Sequence, residues 1–153
     1  MADRSIALTD APSRFLPHTG PAKLIHRVLG LSEESMLCIA QFPSDSALVV
    51  DGQAATHLLV EPAAQAAAIQ LAFLAVEGGT EIQGFEGFLT GAKGIVVTRP
   101  TIPADTDIHI CVRPRRRFRK PTGGMFKCTF EASLDGTPIA EGELSSYVQT
   151  VIS

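Results

Sequence analysis

Glu61 is the single acidic residue in the most apolar stretch of the chain, Leu58 to Val76. An ionised carboxylate is costly to bury there, so a buried Glu61 would keep its proton, as a general acid must. At a partly wet helix start it would instead be an anion stabilised by the helix dipole. His57 stands four residues before it and Gln65 four after, and on a continuous helix the three form one polar stripe. His57 and Glu61 are therefore candidate acid–base residues, and His18, in Leu16-Pro17-His18, is a third. Gln65 reads equally as a site amide or as a buried structural one. His26 and His109 read as surface or edge positions.

A second constellation is the run Arg113-Pro114-Arg115-Arg116-Arg117-Phe118-Arg119-Lys120, which holds 6 of the 13 Lys and Arg residues. It leaves the rest of a chain of net charge -3 distinctly acidic. One reading is a solvated strand edge that discourages aggregation. The other is a docking site for an acidic or phosphate-bearing partner, carried by Arg115, Arg116, Arg117 and Arg119. No aromatic platform accompanies the run, which argues against nucleic acid. Cys38, Cys111 and Cys128 have no short ligand spacing, so no zinc site or disulfide framework is expected. Free thiols in a cytoplasmic setting follow. No signal-like segment opens the chain, and the charge and amides within Leu58–Val76 argue for a buried helix over a membrane span.

These residues must be positioned by a small set of elements. A chain of 153 residues with 45% hydrophobic content suits one domain spanning 1–153, with 1–13 as a loose lead-in. The segment from about His57 to Glu77 is Ala-rich, has no glycine and ends at Gly78-Gly79, which predicts the one long helix. Apolar residues surround most of its circumference, so other structure must enclose it. Pro62 is awkward in an interior turn. Either Thr56 caps a first turn that bends at Pro62, or regular helix begins close to Pro62. Leu24 to Leu29 reads as a helical turn or an irregular edge, and Met36 to Phe42 as a strand. After the helix the period becomes two: Gly94–Arg99, Asp107–Phe118, Met125–Leu134 and Ile139–Val151. Hairpin signals at Thr122-Gly123-Gly124 and Asp135-Gly136 join the last three strands into an antiparallel meander. The class is α+β, with a sheet curled around a central helix.

The motifs narrow this further. Leu16-Pro17-His18 with Leu24-Ile25-His26-Arg27-Val28-Leu29 resembles the opening motif of the FabZ-type dehydratases of fatty-acid synthesis. Glu61-Pro62-Ala63-Ala64-Gln65-Ala66-Ala67 is similar to their central-helix motif, Glu-Ala-Met-Ala-Gln-Ala. Phe88-Leu89-Thr90-Gly91-Ala92-Lys93, Arg99-Pro100 and Ile102-Pro103-Ala104-Asp105 resemble their Gly…Phe-x-x-Pro-Val-x-Pro-Gly-Asp stretch. Asp135-Gly136 and Ala140-Glu141-Gly142-Glu143-Leu144 are similar to the final hairpin. The likeness runs from about Arg14 to Tyr147. Pro17-His18 and Asp51-Gly52 resemble features of the ApeP-like subgroup known from aryl-polyene pigment clusters.

The resemblance implies a hotdog fold and elimination of water from a 3-hydroxyacyl thioester. Such a reaction removes an α-proton and protonates the departing 3-hydroxyl, work divided between a His and a carboxylate. A helix N-terminus or backbone N–H polarises the thioester carbonyl. By resemblance Glu61 is the carboxylate, and Gln65, Gly52 and Gly91 contact substrate. The family glutamine also implies hydrogen bonding at the site or across a dimer. The substrate would be carried on the phosphopantetheine of an acyl carrier protein or on coenzyme A, with no metal and no other cofactor. The family's catalytic His is absent from its position, where ungapped counting puts Ala47. His57 or His18 can stand in for it. Two further readings stay open: a hotdog thioesterase, and a silent partner subunit of an active dehydratase. A homodimer, or a heterodimer with another hotdog subunit, is expected because a lone protomer leaves a sheet edge and a helix face uncovered.

Overall fold

The structure, a computed structural model, describes residues 20–77, 84–117 and 123–151. A 3₁₀ turn at Gly20–Ala22 leads to β1 (Ile25–Leu31) and β2 (Met36–Ala40). The short strands β3 (Val49–Val50) and β4 (Gln53–Ala55) follow, then a 3₁₀ turn at Thr56–Leu59 and the long helix α1 (Val60–Glu77). The remainder is β5 (Gly84–Val97), β6 (Thr101–Pro103), β7 (Ile108–Arg117), β8 (Gly123–Leu134) and β9 (Thr137–Val151).

Alternation builds the large sheet. Ile108, Ile110 and Val112 of β7 and Phe126, Cys128, Phe130, Ala132 and Leu134 of β8 are all buried. The residues between them point to the opposite face, as a pleated strand requires. Burial of a side chain such as Phe130 contributes about 1.5–3 kcal/mol. The strand order is β1-β2-β7-β8-β9-β5, every neighbouring pair antiparallel, and β7, β8 and β9 form the expected meander. Asp135 and Gly136, at φ 49° and 78°, make the two-residue turn between β8 and β9.

α1 touches β1, β2, β5, β7 and β9, so the sheet wraps it from edge to edge. Ala63, Ala66 and Ala67 are buried against the sheet, where small side chains let the backbones approach closely. One long helix held by a curled antiparallel sheet is the hotdog fold. A separate small sheet, β3-β4-β6, carries the chain into the helix.

Of the two readings of Leu24–Leu29 the irregular edge is the one realised: the segment lies largely in β1, an edge strand bent by two register shifts. Another reading is corrected. The strand read at Gly94–Arg99 is the last part of a strand that starts ten residues earlier and ends at Val97. Glycines at 84, 87, 91 and 94 remove the side chains that would have shown its alternation.

Candidate active site

The chain enters α1 through a tight turn. Ala55 is extended and offers no side-chain cap, and Thr56 donates its backbone N–H to Pro100 O at 3.0 Å. The Thr56 hydroxyl is fully buried with no hydrogen-bond partner, so it does not cap the turn. Regular helix begins at Val60, which puts Pro62 in the first turn, where a missing N–H costs nothing. Of the two alternatives for Pro62, the second is the one realised.

Glu61 lies in that first turn and is exposed, as is His57 in the 3₁₀ turn before it. The burial expected of Glu61 is therefore absent within one chain. Its position is the other one considered, a wet helix start where the dipole favours a carboxylate. The expected stripe is also corrected, because the 3₁₀ turn alters the spacing between His57 and Glu61, and Gln65 turns inward. Gln65 is 4% exposed. Its Oε1 accepts the Leu24 N–H at 2.9 Å and its Nε2 donates to Ala22 O at 2.8 Å. Of its two readings the structural amide matches these contacts, which bind the approach to β1 onto the helix.

Ala47, at the family's histidine position, is exposed in the turn between β2 and β3. Asp51 and Gly52, at φ 52° and 73°, form the β3–β4 turn, and Gly52 O accepts the Ala104 N–H at 2.9 Å. Gly91 lies in the other sheet, on the exposed edge strand β5 beside a register shift. His18 and Arg119 lie outside the described residues. His26 is exposed on β1, and His109 is half-buried on the outer face of β7. Among the described residues, no group of three or more His, Cys, Asp or Glu is arranged to hold a metal. None of the described helices is long and apolar enough to cross a membrane.

Arg113 and Arg115 of the arginine run lie in the second half of β7. Gln65 is tied beside Ile25, which pairs with Ala40 and through it with Ile108. Gln70 donates to Ser32 O at 3.1 Å, just beyond Leu31, whose partner Met36 pairs with Val112. The helix thus runs in the same sense as β7. Its N-terminal turn, with Glu61, lies at the Ile108 end and the arginines lie towards the other. Within one chain Arg113 and Arg115 do not border Glu61. Arg113 meets Glu131 at 3.4 Å and Arg115 meets Glu143 at 3.6 Å on the outer face.

Cys38, Cys111 and Cys128 are free. Burial, with Cys111 nearby, pushes the Cys38 thiol up to about 12. Burial, with Glu143 nearby, pushes Cys128 up to about 12 as well. These two are core thiols and not nucleophiles.

The pattern of the ApeP dehydratases matches residues 11–152. The chain is 30% identical over 136 residues to the 3-hydroxyacyl-[acyl-carrier-protein] dehydratase FabZ of Roseiflexus castenholzii, covering 85% of this chain and 88% of that protein. The dehydratase heterocomplex ApeI:P from Xenorhabdus doucetiae superposes with a TM-score of 0.75 at 21% identity, over 89% of each chain. Thioesterase superfamily member 2 from Mus musculus superposes at 0.64 and 12% identity, over 96% of this chain and 98% of that one. The two structural likenesses establish the fold. With a family match over nearly its whole length and a FabZ relative beside it, this chain belongs to the ApeP-like dehydratase family.

Proposed function

We propose that the chain acts as a 3-hydroxyacyl-thioester dehydratase subunit in which Glu61 exchanges a proton with substrate, in a site closed by a second subunit. The observation that carries this is the position of Glu61: exposed in the first turn of α1, within the motif shared with the family. A base takes the α-proton, the C3–O bond breaks, and an acid protonates the departing hydroxyl, giving an enoyl thioester and water. Glu61 supplies one of these groups. His57, on the adjoining turn, or His18 supplies the other. The N-terminal end of α1 stabilises negative charge developing on the thioester oxygen.

The second subunit has a natural place. β5 is a 14-residue edge strand with its outer backbone unpaired among the described residues, and Leu89, Val96 and Val97 on it are exposed. Such an edge is a template for pairing. Antiparallel pairing of two β5 edges brings the arginine end of one chain alongside the Glu61 end of the other. A carrier protein bound to one subunit's arginines would then feed its phosphopantetheine arm to the neighbour's site.

A second reading, that of a silent partner stabilising an active dehydratase subunit, is favoured by Ala47 at the family's histidine position. Mass spectrometry of 3-hydroxyacyl thioesters, on carrier protein and on coenzyme A, incubated with the purified chain separates the readings. An enoyl thioester supports the dehydratase, a free thiol points to thioesterase chemistry, and unchanged substrate favours the silent partner.

A further inference from the structure

Gly142 of β9 lies between Ala140 and Leu144, which are both buried, so its absent side chain belongs to the sheet face turned towards α1. A residue of the neighbouring strand takes that space. A Cβ on Gly142 would overlap Ile95 Cδ1 and press on Phe130 Cε1 at 3.1 Å. A bulge in β5 puts Gly94 and Ile95 together opposite Gly142, with Gly94 at φ 62°. Ile95 is the one residue from Leu89 to Pro100 that is not exposed, and it packs against the core.

This pair lies at the helix entrance. Thr56 donates its N–H to Pro100 O, just past the end of β5, and the turn at Thr56–Leu59 touches both β5 and β9. Ile95 and Glu61 stand the same number of residues from that bond, one on each of the segments it ties. β5 runs opposite to β7 and α1 runs with β7, so moving back along β5 from Pro100 follows the helix inward. A strand covers about 3.3 Å per residue and a helix about 1.5 Å, which sets Ile95 deeper than Glu61. Leu89 and Val97, paired with Ser146 and Ala140 on the same inner face, are 39% and 41% exposed. The inner side of β5 is thus an apolar strip that this chain leaves uncovered, with Ile95 alone held down on Gly142.

We propose that Ile95, seated over Gly142, sets the length of acyl chain that the site accepts. This role rests on Glu61 acting on an acyl thioester. With the reacting carbons at Glu61, the apolar tail runs inward along the inner side of β5, and Ile95 stands across its path. Each buried methylene favours binding until the tail meets a filled position, where forcing in another costs more than its burial gains. Gly142 is what lets Ile95 fill that position, since any side chain there would push it from its seat.

The test is calorimetric titration of the purified full chain with S-alkyl pantetheines of graded length, thioethers that bind without reacting. Wild type should show affinity rising with chain length up to a limit and falling beyond it. In Ile95→Ala the limit should move to longer chains, and the first chain beyond the wild-type limit should gain about tenfold or more in affinity. Ile95→Val removes Cδ1 alone, a mild core change, and should move the limit the same way by less. Adding Gly142→Ala to Ile95→Ala puts a carbon back beside the vacated space and should return part of the shift. Circular dichroism checks the fold of each variant, and Ile95→Val decides the matter should Ile95→Ala not fold. A wild-type chain without a length limit, or a limit that stays in place in the folded variants, would overturn the proposal. A limit that moves while no 3-hydroxyacyl thioester yields an enoyl product would uphold Ile95 as the stop and sink the dehydratase reading instead.

Discussion

The Gln65 side-chain oxygen accepts the backbone N–H of Leu24 at 2.9 Å, a bond made across 41 residues of sequence. The same amide holds Ala22 O, and Gln70, five residues on, holds Ser32 O. The two glutamines therefore fasten both ends of β1 to the helix. Because β1 is an edge strand bent by register shifts, its sheet pairing alone is a weak tether.

Replacing Gln65 with Leu removes both bonds and leaves the buried Leu24 N–H without a partner. Leaving such a donor unsatisfied costs about 1–3 kcal/mol. Urea denaturation should show a loss of that size with an unchanged slope. Gln65→Glu keeps the acceptor and should fall between the two. Equal stability of wild type and Gln65→Leu would remove the role assigned to this amide.

Glu61→Gln keeps the shape of the side chain and removes its capacity to exchange a proton. Turnover of a 3-hydroxyacyl thioester should fall by about 10²–10⁴-fold while thermal stability stays close to wild type, because the residue is exposed. Of His57→Ala and His18→Ala, the one that removes the second acid–base group should cause a comparable loss. A fully active Glu61→Gln protein would end the case for catalysis at this helix.

Replacing Arg115, Arg116 and Arg117 with Ala should weaken binding of an acyl carrier protein mainly through a slower association rate. The difference should shrink as salt is raised. Fold stability should change little, since the Arg115 ion pair with Glu143 lies on the surface. Stopped-flow binding at low and high salt measures it, and an association rate indifferent to the substitutions would exclude docking at the run.

Two buried thiols make alkaline stability measurable. Cys38 and Cys128 are raised from 9.0 to about 12 in the folded chain. Unfolded, they lose their protons near the lower value, so above it the unfolded state binds fewer protons. Their contribution is complete below pH 9 and is lost as pH rises towards 12. Urea midpoints should decline across that window, and Cys38→Ala should flatten the decline. A slope unchanged by the substitution would mean other groups govern it.

The sequence by itself determined the helix, the β7–β9 meander, the Asp135-Gly136 turn and the family. Each is a local pattern: an apolar period, a turn dipeptide, a motif of a few residues. Only the tertiary structure decided that Glu61 is exposed, that Gln65 faces β1, that β5 includes Gly84 and that Arg113 and Arg115 lie towards the end of β7 away from Glu61. The side-chain contacts and the relative direction of elements depend on partners tens of residues apart, which no local period encodes. The start of β5 escaped detection because its glycines carry no side chains to alternate.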